Sequence, residues 1–184
     1  MLVALALFAA KLQAAELLFA PESMLTVNNV ATLGDFQGVL VGPSAMRGVI
    51  NSGTLKGRLE VTVTELSTGS GPRDARMQSY CLESARFPTV VFDVATITGD
   101  TAALRAGDGT GTLTLIGSLT IRDVTMPATV PASFTYTAGV LRLSGRYDMD
   151  WTAFGVPDPG VIISALDPHM YVTFDIVAGP ATPP

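Results

Sequence analysis

Cysteine and histidine are almost missing from this chain: Cys81 and His169 are the sole examples in 184 residues. One cysteine makes no intrachain disulfide, so the fold stands without covalent staples. A single thiol and a single imidazole also leave thiol metal clusters, zinc sites and haem ligation without ligands. Charge is scarce as well. Charged residues are 15% of the chain and the net charge is −5, which argues against nucleic acid and anionic lipid surfaces as partners. Signatures of catalysis are missing too. Ser133 and Ser144 lack a G-x-S-x-G elbow, and no Gly-rich phosphate loop follows a strand and opens a helix. His169 sits in Asp167-Pro-His169, which reads as a turn without the partners that a triad or metal needs. No catalytic residue, metal or cofactor is expected.

Long hydrophobic runs are also lacking. The apolar stretch Met1–Ala10 ends at Lys11, well short of the roughly 20 residues of a membrane span. It reads as the apolar region of a signal peptide covering residues 1–15, cleaved near Ala14 or Ala15. The basic residues that usually open such a segment are missing, which fits a true start upstream of Met1. The other reading is an apolar N-terminal helix that stays on the protein. No cysteine lies near the cleavage point to carry a lipoprotein anchor. One domain is expected over 16–179, with 180–184 as a flexible tail.

What is present is apolar and alternating. Hydrophobic residues make up 48%, and 18 glycines and 12 prolines suit many turns between short strands. The most telling stretch is Thr110–Pro131. Leu113, Leu115, Gly117, Leu119 and Ile121 alternate with neighbours that are polar except for Ile116, the period of a strand with one apolar face. Met126-Pro127 is expected to break the ladder, since proline lacks the N–H a central strand uses. Val130, Ala132, Phe134 and Tyr136 then form a second row. Leu55–Leu66, Val90–Ile97, Val140–Trp151 and Met170–Ala178 repeat the pattern, and Leu17–Val30 reads as the first strand. Pro43–Ser52 is turn-rich, and Ser67–Pro72 is a loop by composition. In Arg73–Pro88 the period changes: Met77, Tyr80, Cys81, Ser84 and Ala85 fall at helical spacing, with Asp74 as N-cap. Cys81 on that helix's apolar side reads as a small buried hydrophobe.

These rows describe one antiparallel, up-and-down β-barrel of about eight strands with one short inserted helix. Such an interior either fills with side chains or holds one small ligand. If it holds a ligand, the lining set is Phe92, Leu115, Leu119, Phe134, Leu143, Tyr147, Met149, Trp151 and Phe174. Gly117 and Gly145 leave room in two rows, although a β-bulge is the other reading of either. Arg122, at the end of the long strand, is the candidate for a polar head group. Arg142 and Arg146 share a face with Asp148 and Asp150, so surface pairing across strands is expected of them.

Several short motifs carry a resemblance. Gly117-Ser-Leu-Thr-Ile-Arg-Asp-Val-Thr-Met-Pro127 resembles the G-x-L-T-I-H-G-V-T-x-P signature of the YceI-like family, with Arg122 and Asp123 in place of histidine and glycine. Pro21-Glu-Ser23, Gly34-Asp-Phe-Gln-Gly38, Arg73-Asp74, Phe87-Pro88 and Phe154-Gly-Val156 resemble further elements in the same order, with Arg76 again standing for a histidine. The resemblance spans about Phe19–Ala178. It implies a lipocalin-like, periplasmic or secreted barrel that binds an isoprenoid-type lipid, such as a polyprenyl phosphate or a quinone, without chemistry. Transient contact with a membrane or a membrane redox protein, and a homodimer, stay open. Two other classes stay open: an interaction barrel with a filled core, and a small-lipid isomerase or hydrolase.

Overall fold

Period-two alternation is realised as ten strands in a computed structural model, which describes residues 16–31, 34–159 and 166–180. They are β1 (Glu16–Phe19), β2 (Met24–Ala31), β3 (Phe36–Val41), β4 (Met46–Asn51), β5 (Lys56–Thr62), β6 (Thr89–Gly99), β7 (Gly109–Ile121), β8 (Val124–Thr137), β9 (Val140–Asp150) and β10 (Leu166–Pro180). Neighbours pair antiparallel in the order β1-β4-β5-β6-β7-β8-β9-β10, and β10 returns to β1. The result is a closed eight-strand antiparallel barrel. Closure leaves the ring itself without an open edge.

The expected first strand is two strands. Between Phe19↔Ala178 and Met24↔Asp175, residues Ala20–Ser23 stand opposite only Ile176 and Val177. Pro21 lies in this break, where a ladder N–H is not needed. Ser23, fully buried, repairs it: its hydroxyl donates to the Val177 carbonyl at 3.0 Å and accepts from the Val177 N–H at 3.1 Å. The turn-rich segment Pro43–Ser52 is likewise resolved into a turn followed by β4, with Met46 and Ile50 buried. So β1–β2 and β3–β4 run as two long interrupted strands side by side.

The break expected at Met126-Pro127 does not occur. The chain turns at Arg122-Asp123, and β8 continues through Pro127 and Pro131. Both prolines lie before Ala132, where pairing with β9 begins, so this half of β8 has a ladder partner on one side only. Such one-sided positions tolerate a missing N–H.

Helix α1 (Gly71–Arg76) runs into a π-helical turn, Met77–Cys81. It starts earlier than expected, with Ser70 as N-cap and Pro72 in its first turn, a place where the missing N–H is harmless. Asp74 is therefore inside the helix. Its carboxylate reaches back to the Thr68 N–H at 2.9 Å, the Thr68 hydroxyl at 2.5 Å and the Ser67 hydroxyl at 3.0 Å, closing the preceding loop. A second short helix, α2 (Thr101–Ala106), crosses the opposite end of the barrel. It stops at Gly107, whose φ of 73° is the left-handed conformation glycine takes most readily.

The core is unevenly filled. At the α2 end Leu17, Leu104 and Leu141 are fully buried, with Leu113, Phe134 and Tyr136 close around them. At the other end Ile121, Met149 and Phe154 make a second, smaller cluster under the loops. Between the two lies a cavity.

Candidate functional site

The cavity occupies about 740 Å³ inside the barrel. Every strand that enters the ring near its middle sends its inward row to the wall: Leu25 and Val27 from β2, Leu59 and Val61 from β5, Phe92 and Val94 from β6, Leu115 and Leu119 from β7, Leu143 and Tyr147 from β9, Val172 and Phe174 from β10. Its roof is built from Met77, Cys81 and Leu82 after α1, and from Val156 and Pro157 after a 3-10 turn, Trp151–Phe154. Arg73 and Arg76 line the cavity and are themselves exposed, so it meets solvent beside α1.

Of the residues expected at a ligand, Phe92, Leu115, Leu119, Leu143, Tyr147, Met149, Trp151 and Phe174 line this space. The period of each strand was enough to place them, because successive side chains face opposite sides. Trp151 is held there by its indole N–H, which donates to the Asp167 carbonyl at 2.8 Å. Burial pushes the Tyr147 phenol above its ordinary value.

Four expectations are corrected. Phe134 is inward but sits at the filled end, 4% exposed, outside the cavity wall. The glycines leave no room for a ligand. A Cβ on Gly117 would lie 1.9 Å from the Asp93 carbonyl oxygen, because β6 carries an extra residue between Val94 and Thr96 and crowds β7 there. That is the bulge reading. A Cβ on Gly145 would lie 2.4 Å from the Pro131 carbonyl oxygen and 2.6 Å from the Phe174 ring, which already covers the position.

Arg122 is also not at the mouth. It turns the chain between β7 and β8 at φ 57°, and its guanidinium pairs with Glu83 and donates to the Gly155 carbonyl at 2.7 Å. With the Phe87 ring 5.9 Å away, it ties three loops over one end of the barrel. Its Nε is buried without a hydrogen-bond partner.

His169 belongs to β10 rather than to a turn, on the outward face, with Nε2 3.3 Å from Asp148 Oδ1. Arg146 pairs with Asp148 along its own strand at 2.5 Å instead of across strands, and stacks on Tyr171 at 3.7 Å. The Arg146 hydrogen bond, ahead of the opposing burial, holds the Asp148 carboxyl below its usual range. Cys81 is buried as expected, and burial pushes its thiol up. Among the described residues no group of three or more His, Cys, Asp or Glu is placed to hold a metal ion.

Sequence reasoning missed the walls given by β2, β3 and β5. Leu25 and Val27 do alternate, so the signal was there; only ring closure brings them opposite Phe174. It also missed Arg73 and Arg76, whose position depends on how α1 folds over the barrel.

Comparison with known proteins follows this geometry. The family model described as YceI-like domain matches residues 12–178. Among solved structures, the chain is similar to a polyisoprenoid binding domain from Saccharophagus degradans, at 16% identity over 91% of this chain and 99% of that one, with a TM-score of 0.74. It is similar to BcnA from Burkholderia cenocepacia, at 15% identity over 84% and 95% of the two chains, with a TM-score of 0.67. The YCEI protein of Campylobacter jejuni aligns at 13% identity over 72% and 78%, with a TM-score of 0.54. A search of curated proteins returns no match.

Proposed function

The chain belongs to the YceI-like domain family, and from that premise we propose that it binds, sequesters and carries a long-chain isoprenoid-type lipid inside the barrel, without catalysing a reaction on it. The observation that carries this reading is the 740 Å³ cavity with its apolar wall. A volume of this size is typical of small-molecule sites, which run from about 300 to 1,000 Å³. Each methylene-sized group that leaves water for such a wall contributes about 0.8 kcal/mol, so ten contribute about 8 kcal/mol gross. Ordering the tail subtracts from that, and micromolar binding is the natural scale. The name of the Saccharophagus relative supports the ligand class.

The position of His169 supports binding over turnover. It lies on the outside of β10, beside Asp148 of β9, and takes no part in the cavity wall. Export completes the proposal: residues 1–15, read as a signal peptide, lie outside the described residues, and cargo of this kind is handed over at a membrane or to a membrane redox protein. N-terminal sequencing of the protein expressed with its native leader tests export; material from the cytoplasm that begins at Met1 would contradict it.

The direct test is native mass spectrometry of protein purified from cells, followed by lipid extraction. An isoprenoid lipid released in stoichiometric amount is expected. An empty protein that also fails to quench Trp151 with a polyprenyl or quinone probe would overturn the reading in favour of an interaction barrel. Turnover of lipid esters that disappears in His169→Ala would favour an enzyme.

A further inference from the structure

We propose that the cavity takes an isoprenoid with an anionic phosphate head, held at the rim by Arg73 and Arg76, in preference to a neutral-headed lipid with the same tail. This rests on the lipid-binding reading above and narrows it.

Among the described residues the cavity lining contains Arg58, Arg73 and Arg76 and no Asp or Glu, in a chain whose net charge is −5. Arg58 is spent: it pairs with Glu60 at 2.9 Å and with Asp93 at 2.5 Å. Arg73 and Arg76 are different. Among the described residues neither makes an ion pair, whereas Arg47, Arg86, Arg122 and Arg146 each do.

Both guanidiniums are positioned all the same. The Arg73 guanidinium carbon lies 4.2 Å over the Phe36 ring, and that of Arg76 lies 4.6 Å over the Tyr80 ring. Arg76 also donates its Nε–H to the Pro159 carbonyl. Stacking fixes the plane of a guanidinium and leaves its in-plane N–H groups to reach outward. Three residues apart on α1, the two side chains start about 5–6 Å apart, close enough to share one tetrahedral oxyanion.

Two neighbouring carboxylates make their hydrogen bonds elsewhere, and Asp74 keeps only a longer-range attraction to Arg73. Asp74, on the same helix, turns back to Ser67 and Thr68. Asp35 accepts from the Ala31 N–H at 3.3 Å. Asp158 flanks the rim next to Pro159 but is not part of the cavity wall. A phosphate at the rim would gain charge-assisted bonds from arginines already held in place, while its tail extends along Met77 into the apolar interior. A neutral quinone or alcohol head has no charge to offer them.

The test uses the full chain and a tail-matched pair, geranylgeranyl phosphate and geranylgeraniol, with binding followed through Trp151. The phosphate is expected to bind about tenfold to a hundredfold more tightly than the alcohol at low ionic strength. That preference should shrink with added salt. In the double variant R73Q/R76Q the preference should vanish, with the alcohol measured on the same variant as the reference. Arg73→Gln alone, which removes no hydrogen bond to a described residue, should halve the effect or more and guards against misfolding of the double variant. Equal affinities for the two ligands, or a preference that survives R73Q/R76Q, would overturn the head-group assignment alone. Failure of both ligands to bind would overturn the lipid reading and this proposal with it. Inorganic phosphate should displace the lipid phosphate poorly; displacement at comparable concentrations would mean the rim binds free anion independently of the tail, and would also overturn the proposal.

Discussion

Gly145 shows how much a single position in this barrel is determined by its neighbours. The Phe174 ring lies where its side chain would be, and the Pro131 carbonyl bounds the other side. Gly145→Leu therefore overfills a packed site, at about 1–3 kcal/mol. The expected outcome is a clear fall in melting temperature together with weaker binding of a polyprenyl probe, because the displaced Phe174 ring moves into the cavity. A variant as stable as the parent would show that the position is open after all. Ser23 acts by hydrogen bonding instead of shape. Its hydroxyl takes the place of the missing rungs at the β1–β2 break, with both bonds made to Val177. Ser23→Ala leaves the buried Val177 N–H unpaired and takes one of two donors from its carbonyl, which keeps the Ala20 N–H at 2.7 Å, at about 1–3 kcal/mol. Thermal or urea unfolding would measure this, and Ser23→Thr, which keeps the hydroxyl, should recover part of it.

At the scale of elements, α1 is the piece that shapes the mouth, and Asp74 is what fastens it. Burial pushes the Asp74 carboxyl up, but hydrogen bonds from the Thr68 hydroxyl, the Thr68 N–H and the Ser67 hydroxyl outweigh it and leave the group below its ordinary value of 3.8. A carboxylate lowered in the folded state adds stability that is complete above the unfolded value and is lost as pH falls through the folded one. Asp74→Asn should thus lower the melting temperature at neutral pH, by an amount that corresponds to about 1 kcal/mol. The gap between variant and parent should narrow as pH falls below 3.8 and through the lowered folded-state value, as the parent's carboxyl is protonated too. A gap that is constant across this range would assign the effect to shape instead of charge. The loops on the same end are fastened by Arg122, through Glu83 and Gly155. Arg122→Ala removes the tie to Gly155 and one of the two partners of Glu83, which keeps Arg86 at 3.0 Å, and unfolding should show a loss of about 1–3 kcal/mol.

For the molecule as a whole, stability comes from ring closure and apolar packing. Leu17 pairs with Pro180, so the two ends of the described chain complete the barrel. The lone Cys81 is free and buried, and among the described residues no group of three or more His, Cys, Asp or Glu is placed to hold a metal. Reductant and chelator should both leave the melting temperature unchanged. A fall with either would mean a cross-link between chains or a metal that the described residues do not account for. A bound lipid, by contrast, should raise the melting temperature with ligand concentration, because it binds only the closed barrel.

Period-two alternation is local, and that is why so much was legible without coordinates. The inward rows of β7 to β10, and the part of the cavity wall that β6, β7, β9 and β10 supply, follow from which neighbours are apolar, since a strand's two faces are set by the backbone itself. The short motifs from Pro21 to Phe154 carried the family for the same reason: each is a turn or strand end defined by adjacent residues. Tertiary structure decided what depends on partners far away in the chain. Gly117 and Gly145 lie in apolar rows, yet the backbone of β6 and the ring of Phe174 take their space. Arg122 ends a long strand, yet Glu83 and Gly155 claim its guanidinium. Pro127 lacks an N–H, yet β9 stops short of it and β8 runs on. Arg73 and Arg76 look like ordinary helix-surface charges until α1 folds across the barrel and sets them at its mouth. A sequence determines which way a side chain points along its own strand; only closure of the ring determines what it then faces.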